Sequence, residues 1–148
     1  MSAAGERRQG GCLCGNVRYE VSVPHAEYAI CHCDMCRKWS AGPYMSVHCR
    51  GDDVGWINDT GLRWFRSSKW AERGFCSTCG SSLFYRLANN PQMLLIVSVD
   101  SLDDTSGITL KRHIYVDEQP DRYAFADTTP RITKAELMAE IGIKPEGN

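Results

Sequence analysis

The chain has 148 residues, 24% charged and 43% hydrophobic, with a formal net charge of −1. That profile fits a globular domain long enough to bury a core without cross-links, and it lacks the basic excess or basic stripe of a nucleic-acid binder. The longest apolar run, MLLIV at 93–97, is too short to span a bilayer, and the N-terminal MSAAGERRQGG carries no apolar secretory stretch.

The expectation is therefore a cytoplasmic protein in a reducing compartment, where eight cysteines point to metal ligands or reactive thiols rather than disulfides. In chain order, residues 1–9 are expected to fray, and GCLCG follows with Cys12 and Cys14. Residues 16–23, NVRYEVSV, alternate Val17, Tyr19, Val21 and Val23 against Arg18, Glu20 and Ser22, the pattern of a half-buried strand. CHCDMCRK at 31–38 packs Cys31, Cys33 and Cys36 into six positions around His32. Further strands are predicted over 43–49 (ending at Cys49), 62–67, 81–87, 93–99 and 108–116. Turn residues such as Gly51-Asp52, Asp59-Thr60-Gly61, Asn89-Asn90-Pro91 and Ser106-Gly107 separate them. FCSTCG places Cys76 and Cys79 just before Gly80. One helix is predicted: Thr133 to Glu136 form a capping box, Leu137, Met138 and Ile141 follow, and Gly142 and Pro145 end it. The expected architecture is all-β and mainly antiparallel, a single domain over 8–132 followed by a short helix and tail over 133–148.

The cysteine spacing carries the chemistry. On an extended segment residues i and i+2 face the same way, so Cys12 and Cys14 present two sulfurs to one point. A C-x-x-C turn does the same for Cys76 and Cys79, with Gly80 permitting the tight backbone. Neither pair alone satisfies a tetrahedral zinc; together they do, as a structural clip that adds to folding stability. Four buried thiols without metal are the bland alternative, and a redox C-x-x-C lacks its βαβ surroundings. Cys31, Cys33 and Cys36 form a second set of three ligands. Cys49 could complete it, His32 less readily since it faces away from its neighbours on a strand, or the fourth position could stay open for substrate. The residues alone leave a closed and an open site about equally supported. Zinc with three thiolates sums to −1, a poor activator of water but a suitable partner for an incoming thiol held as thiolate.

GCLCG (11–15), CHCDMCRK (31–38), RSSKWAERGFCSTCGSSLFYRL (66–87) and HIYVDEQPDRY (113–123), in this order, resemble the glutathione-dependent formaldehyde-activating enzyme family, which also includes centromere protein V. The resemblance runs from about Gly10 to Arg131. It implies a β-rich fold of curved sheets shared with the Mss group of zinc proteins. It implies a structural zinc on Cys12, Cys14, Cys76 and Cys79, and a second, more labile zinc on Cys31, Cys33 and Cys36 that is associated with catalysis. The implied activity is addition of glutathione to formaldehyde, a carbon–sulfur lyase reaction run in reverse, with a small thiol and a small carbonyl as partners. Neither nucleic acid nor membrane is an expected partner. Cys49 matches no family cysteine, which favours the open site. The alternative is a non-catalytic zinc scaffold that binds a protein, as related folds do. Two departures stand out: Ser40-Ala41-Gly42-Pro43 where the family often reads Ser-Gly-Ala-Pro, and Tyr123 where tryptophan is common.

Other residues carry weaker signals. Arg37 and Lys38 read first as a solvated basic turn, and second as a grip on a substrate carboxylate. Arg66, Arg73 and Arg86 are expected to bond backbone or acidic partners such as Asp100. Trp56, Trp64, Trp70, Phe75, Phe84 and Tyr85 are expected in the core. His113 is expected to be structural, with a general-base role as the sharper reading.

Overall fold

The computed structural model describes residues 5–142. Its elements run β1 (Glu6–Gly11), β2 (Arg18–Val23), β3 (Glu27–Cys31), α1 (Asp34–Ser40), β4 (Tyr44–Cys49), β5 (Gly55–Asn58), β6 (Leu62–Arg66) and β7 (Ala71–Cys76). They continue with β8 (Ser82–Leu87), β9 (Leu95–Ser98), β10 (Thr109–Ile114), β11 (Arg131–Ile132) and α2 (Lys134–Ile141). The fold is mostly β with a short C-terminal helix, as expected, and the six predicted strands appear as β2, β4, β6, β8, β9 and β10. Residues 6–9, expected to fray, are instead part of β1; residues 143–148, which include Pro145, lie outside the described residues. No described helix is long and apolar enough to cross a membrane. Two compact units emerge, residues 5–26 with 46–108, and residues 27–45 with 109–142.

The first unit is antiparallel. β2 pairs with β1 on one side and β5 on the other, while β4, β9, β8, β7 and β6 are neighbours in that order. The alternation read in residues 16–23 is real: Val17, Tyr19 and Val21 are fully buried. Tyr19 meets Phe84 edge-on at 5.1 Å, and Trp56 and Trp64 pack on the same Phe84 ring at 5.4 and 5.9 Å. Gly74 lies beneath this cluster, where a Cβ would sit 2.9 Å from the Trp64 ring. The expected aromatic core is only partly internal, since Trp56 and Trp70 remain 37% and 39% exposed. β7 escaped prediction because its burial does not alternate, breaking at Gly74, and its buried positions include Arg73, 3% exposed, whose guanidinium lies 5.1 Å from the Tyr85 ring centroid. Arg86 stacks 3.6 Å from the Trp64 centroid and pairs with Glu72 at 2.9 Å, and Arg66 donates to the Ser68 and Lys69 carbonyls.

In the second unit the strands are parallel: β3 and β11 flank β10, each running in its direction. The fold is still mainly antiparallel, as expected, and these strands are its parallel exception; parallel partners need a long crossover that no local pattern announces. α1 was also not foreseen. It spans seven residues, its N-cap is Cys33 rather than a hydroxyl or carboxamide residue, and its left-handed C-cap is Ala41 (φ 62°, ψ 30°) rather than glycine. α2 matches its capping box, with Thr133 accepting from the Glu136 N–H and Gly142 closing it at φ 76°. It is tied down by Arg112 to Glu140 at 2.9 Å and by the Lys134 N–H to Asp117.

Candidate metal centres

The sulfurs of Cys12, Cys14, Cys76 and Cys79 lie within 4.8 Å of one another, in the first unit. The turn after β1 presents Cys12 and Cys14, 3.7 Å apart, and the end of β7 brings Cys76 to 3.7 Å from Cys14. Backbone bonds set this convergence: Gly61 N–H to the Asn16 carbonyl at 2.9 Å, Ser77 N–H to the Gly61 carbonyl at 2.7 Å, and Gly80 N–H to the Cys76 carbonyl at 2.8 Å. Gly80 closes the knuckle at φ 82°, the left-handed geometry that glycine reaches without cost. Gly61, read in the sequence only as a turn residue, also lies against this site: a Cβ there would lie 3.0 Å from the Cys76 sulfur.

The surroundings of these sulfurs favour thiolates. Val17 N–H donates to Cys12, and the Thr78 and Cys79 N–H groups donate to Cys76. Ser81, through its hydroxyl first and its backbone second, lowers Cys79 to about 5. Burial resists ionisation of Cys76, but the N–H groups of Cys79 and Thr78 prevail and hold it below the ordinary thiol value. Cys14 goes the other way, to about 11: a bond from Asn16 favours its thiolate, while burial and the three neighbouring thiols oppose it more strongly. Four converged sulfurs, with Cys79 ready as a thiolate, are a donor set that a soft, tetrahedral cation completes by displacing the remaining protons.

The sulfurs of Cys31, Cys33 and Cys36 form the other group within 4.8 Å, all three buried. β3 ends at Cys31, Cys33 caps α1 and accepts the Cys36 N–H at 3.3 Å, and Cys36 sits in the first turn. Hydrogen bonding to Cys33 and then Cys36, with burial behind it, pushes the Cys31 thiol well above its ordinary value. A cation that took the three protons would relieve this crowding, so this set also fits a thiophilic metal. Neither Cys49 nor His32 belongs to the group. Cys49 lies on β4 opposite Leu95, and burial, helped by Asp53, raises it to about 12. His32 is fully buried and bonds to the Tyr123 hydroxyl and to His113, both at 2.8 Å. Arg37 is half-buried, and its guanidinium bonds the His32 and Glu118 carbonyls at 2.9 and 3.2 Å. Lys38 is exposed. Asp127, which accepts from the far side of His113, carried no signal in the sequence.

The family model described as glutathione-dependent formaldehyde-activating enzyme matches residues 7–118. A protein of Schizosaccharomyces pombe named an uncharacterized lyase is 30% identical over 136 residues, covering 90% of this chain and 96% of its own. A putative glutathione-dependent formaldehyde-activating enzyme of Halomonas elongata is 28% identical over 123 residues, covering 76% of this chain and 77% of its own. The crystal structure of a Rhodobacter sphaeroides protein shares the fold with a TM-score of 0.56 at 24% identity, over 70% of this chain and 99% of that one.

Proposed function

Because the chain belongs to the glutathione-dependent formaldehyde-activating enzyme family, we propose that it is a zinc-dependent carbon–sulfur lyase-type enzyme joining a glutathione-like thiol to a small aldehyde such as formaldehyde, or running the reverse. One observation carries the reading: the Cys31, Cys33 and Cys36 group offers three ligand atoms and, among the described residues, no fourth within the same 4.8 Å. Cys12, Cys14, Cys76 and Cys79 would hold a structural zinc, and the trio a second. Zinc on the trio supplies a soft acceptor that keeps an incoming thiol ionised near neutral pH. The chain's own contribution is to place the three sulfurs together at the end of β3 and the capped first turn of α1, buried from water. The thiolate attacks the carbonyl carbon, the C–S bond forms, the C=O π pair moves onto oxygen, and that oxygen takes a proton. The relative named a lyase and the one named a putative glutathione-dependent formaldehyde-activating enzyme both support this reaction class.

Cobalt substitution tests the reading, since a fourth thiolate changes the metal's absorption. Glutathione should perturb the spectrum, and S-methylglutathione, which has no thiol to ionise, should not. A cobalt protein already reporting four protein sulfurs at both sites and indifferent to glutathione would replace the enzyme with a zinc-stabilised scaffold.

A further inference from the structure

Immediately after β10, Tyr115 turns the chain through the left-handed region, at φ 57° and ψ 40°, and Val116–Glu118 form a short 3-10 turn. A side chain resists that backbone conformation, which persists only where surrounding contacts hold it. The contacts here are specific. Two adjacent carboxylates of the turn each take the N–H of the first residue of a helix: Glu118 that of Asp34 in α1, and Asp117 that of Lys134 in α2, both at 2.9 Å. The first N–H groups of a helix have no partner within it, and a carboxylate there also meets the positive end of the helix dipole. On the α1 side the contact is reciprocal. Arg37 bonds the Glu118 carbonyl at 3.2 Å and the His32 carbonyl at 2.9 Å, while the His32 N–H bonds the Ile114 carbonyl at 3.1 Å.

These attachment points interleave with the three thiols. Cys31 lies opposite Ile114 in the sheet, and His32, Asp34 and Arg37 fall between or beside Cys33 and Cys36 along the chain. The trio itself bridges two kinds of structure, since Cys31 ends a strand and Cys36 sits in the first turn of a helix. Three ligands so close in sequence close almost no loop. The angle between strand and helix, and with it the spacing of the sulfurs, is therefore set by hydrogen bonds on the intervening backbone. The Asp34 N–H lies between Cys33 and Cys36, and its bond goes to Glu118. A helix of seven residues has little stability of its own and does not hold such an angle unaided.

We propose that Glu118 is a positioning residue for the metal at Cys31, Cys33 and Cys36. Its bond to the Asp34 N–H fixes the first turn of α1 so that the three sulfurs stand together, within 4.8 Å, before a cation arrives. This rests on the function proposed above only in taking the trio as a metal site. Glu118 acts through the backbone between two ligands. Asp117 supplies an internal control: it makes the same kind of bond one residue earlier, but to the other helix, so its loss removes a cap and leaves the trio alone.

Glu118→Ala should weaken cobalt and zinc binding at the trio by about 10-fold or more in competition with a chelator. It should change the cobalt absorption of that site and leave the metal at Cys12, Cys14, Cys76 and Cys79 as tight as in the wild type. Glu118→Gln, whose amide oxygen still accepts from the Asp34 N–H, should restore both affinity and spectrum. Asp117→Ala should cost thermal stability with the trio's affinity unchanged. Three results would overturn the positioning role and leave the proposed function standing: wild-type affinity at the trio in Glu118→Ala, a Glu118→Gln protein as weak as Glu118→Ala, or an equal loss in Asp117→Ala. Cobalt held at the trio in a Glu118-dependent way yet indifferent to glutathione would remove the proposed function and keep the positioning role. A wild type whose trio takes up neither cobalt nor zinc would overturn both.

Discussion

Ala41 ends α1 in the left-handed region, at φ 62°, while glycine at the next position has an ordinary φ. The strain of a Cβ there is on the order of 1–2 kcal/mol, partly offset because alanine restricts the unfolded chain more than glycine does. Ala41→Gly should therefore stabilise the protein by about 0.5–1 kcal/mol in urea titration; a loss of stability would mean the cap is not left-handed in solution. Cys49 gives a pH signature. Its thiol is raised to about 12 in the folded state from an ordinary 9, so the unfolded chain releases this proton first as pH rises. Its contribution is complete below pH 9 and declines as pH climbs from about 9 to 12. Cys49→Val, which cannot ionise, should show a shallower alkaline fall in urea midpoint than the wild type. Equal slopes would place that proton elsewhere.

At the scale of elements, the two clusters constrain very different lengths of chain. Cys14 and Cys76 are 62 positions apart, so a metal across them closes a long loop. Cys31, Cys33 and Cys36 lie on one turn and close almost none. Cys76→Ser should therefore lose one metal and lower the melting temperature sharply. Cys33→Ser should lose the other metal with a change of a few degrees at most, since serine keeps the N-cap of the seven-residue helix and only a metal ligand goes. Similar drops for both variants would contradict the assignment of clip and open site. The same contrast explains what the sequence disclosed. The cysteine groupings were legible because i, i+2 and i, i+3 spacings leave sulfurs little choice of direction, and β2 was legible through its alternation. β1 was not: its ERRQGG has no apolar stripe and is held by ions, Arg7 to Glu20 and Asp53. β11 is two residues long, and β3 lies beside β10, a strand far along the chain. Tyr123 and Asp127 carried no local signal because His32 and Tyr123 are 91 positions apart.

Taken whole, the molecule should release metal in two steps. Four protein sulfurs against three predicts that a mild chelator strips the Cys31, Cys33 and Cys36 site first, with little unfolding, and the other site later, with loss of the fold. A single release phase carrying both metals would refute the difference. The parallel pairing of β3 with β10 has a further consequence, for the order in which the protein matures during synthesis. The imidazole of His113 that packs on His32 is made 81 residues later. At roughly 5–20 residues per second, the three neighbouring thiols wait about 4–16 seconds before the strand that pairs with β3 is made, in contact with oxidants and competing metals. The four-thiol cluster has all its ligands once Cys79 is made, while β10 is still to come. In the nascent chain the four-thiol group is therefore complete first, and the trio passes through an interval in which it is chemically available before β10 exists to pair with β3.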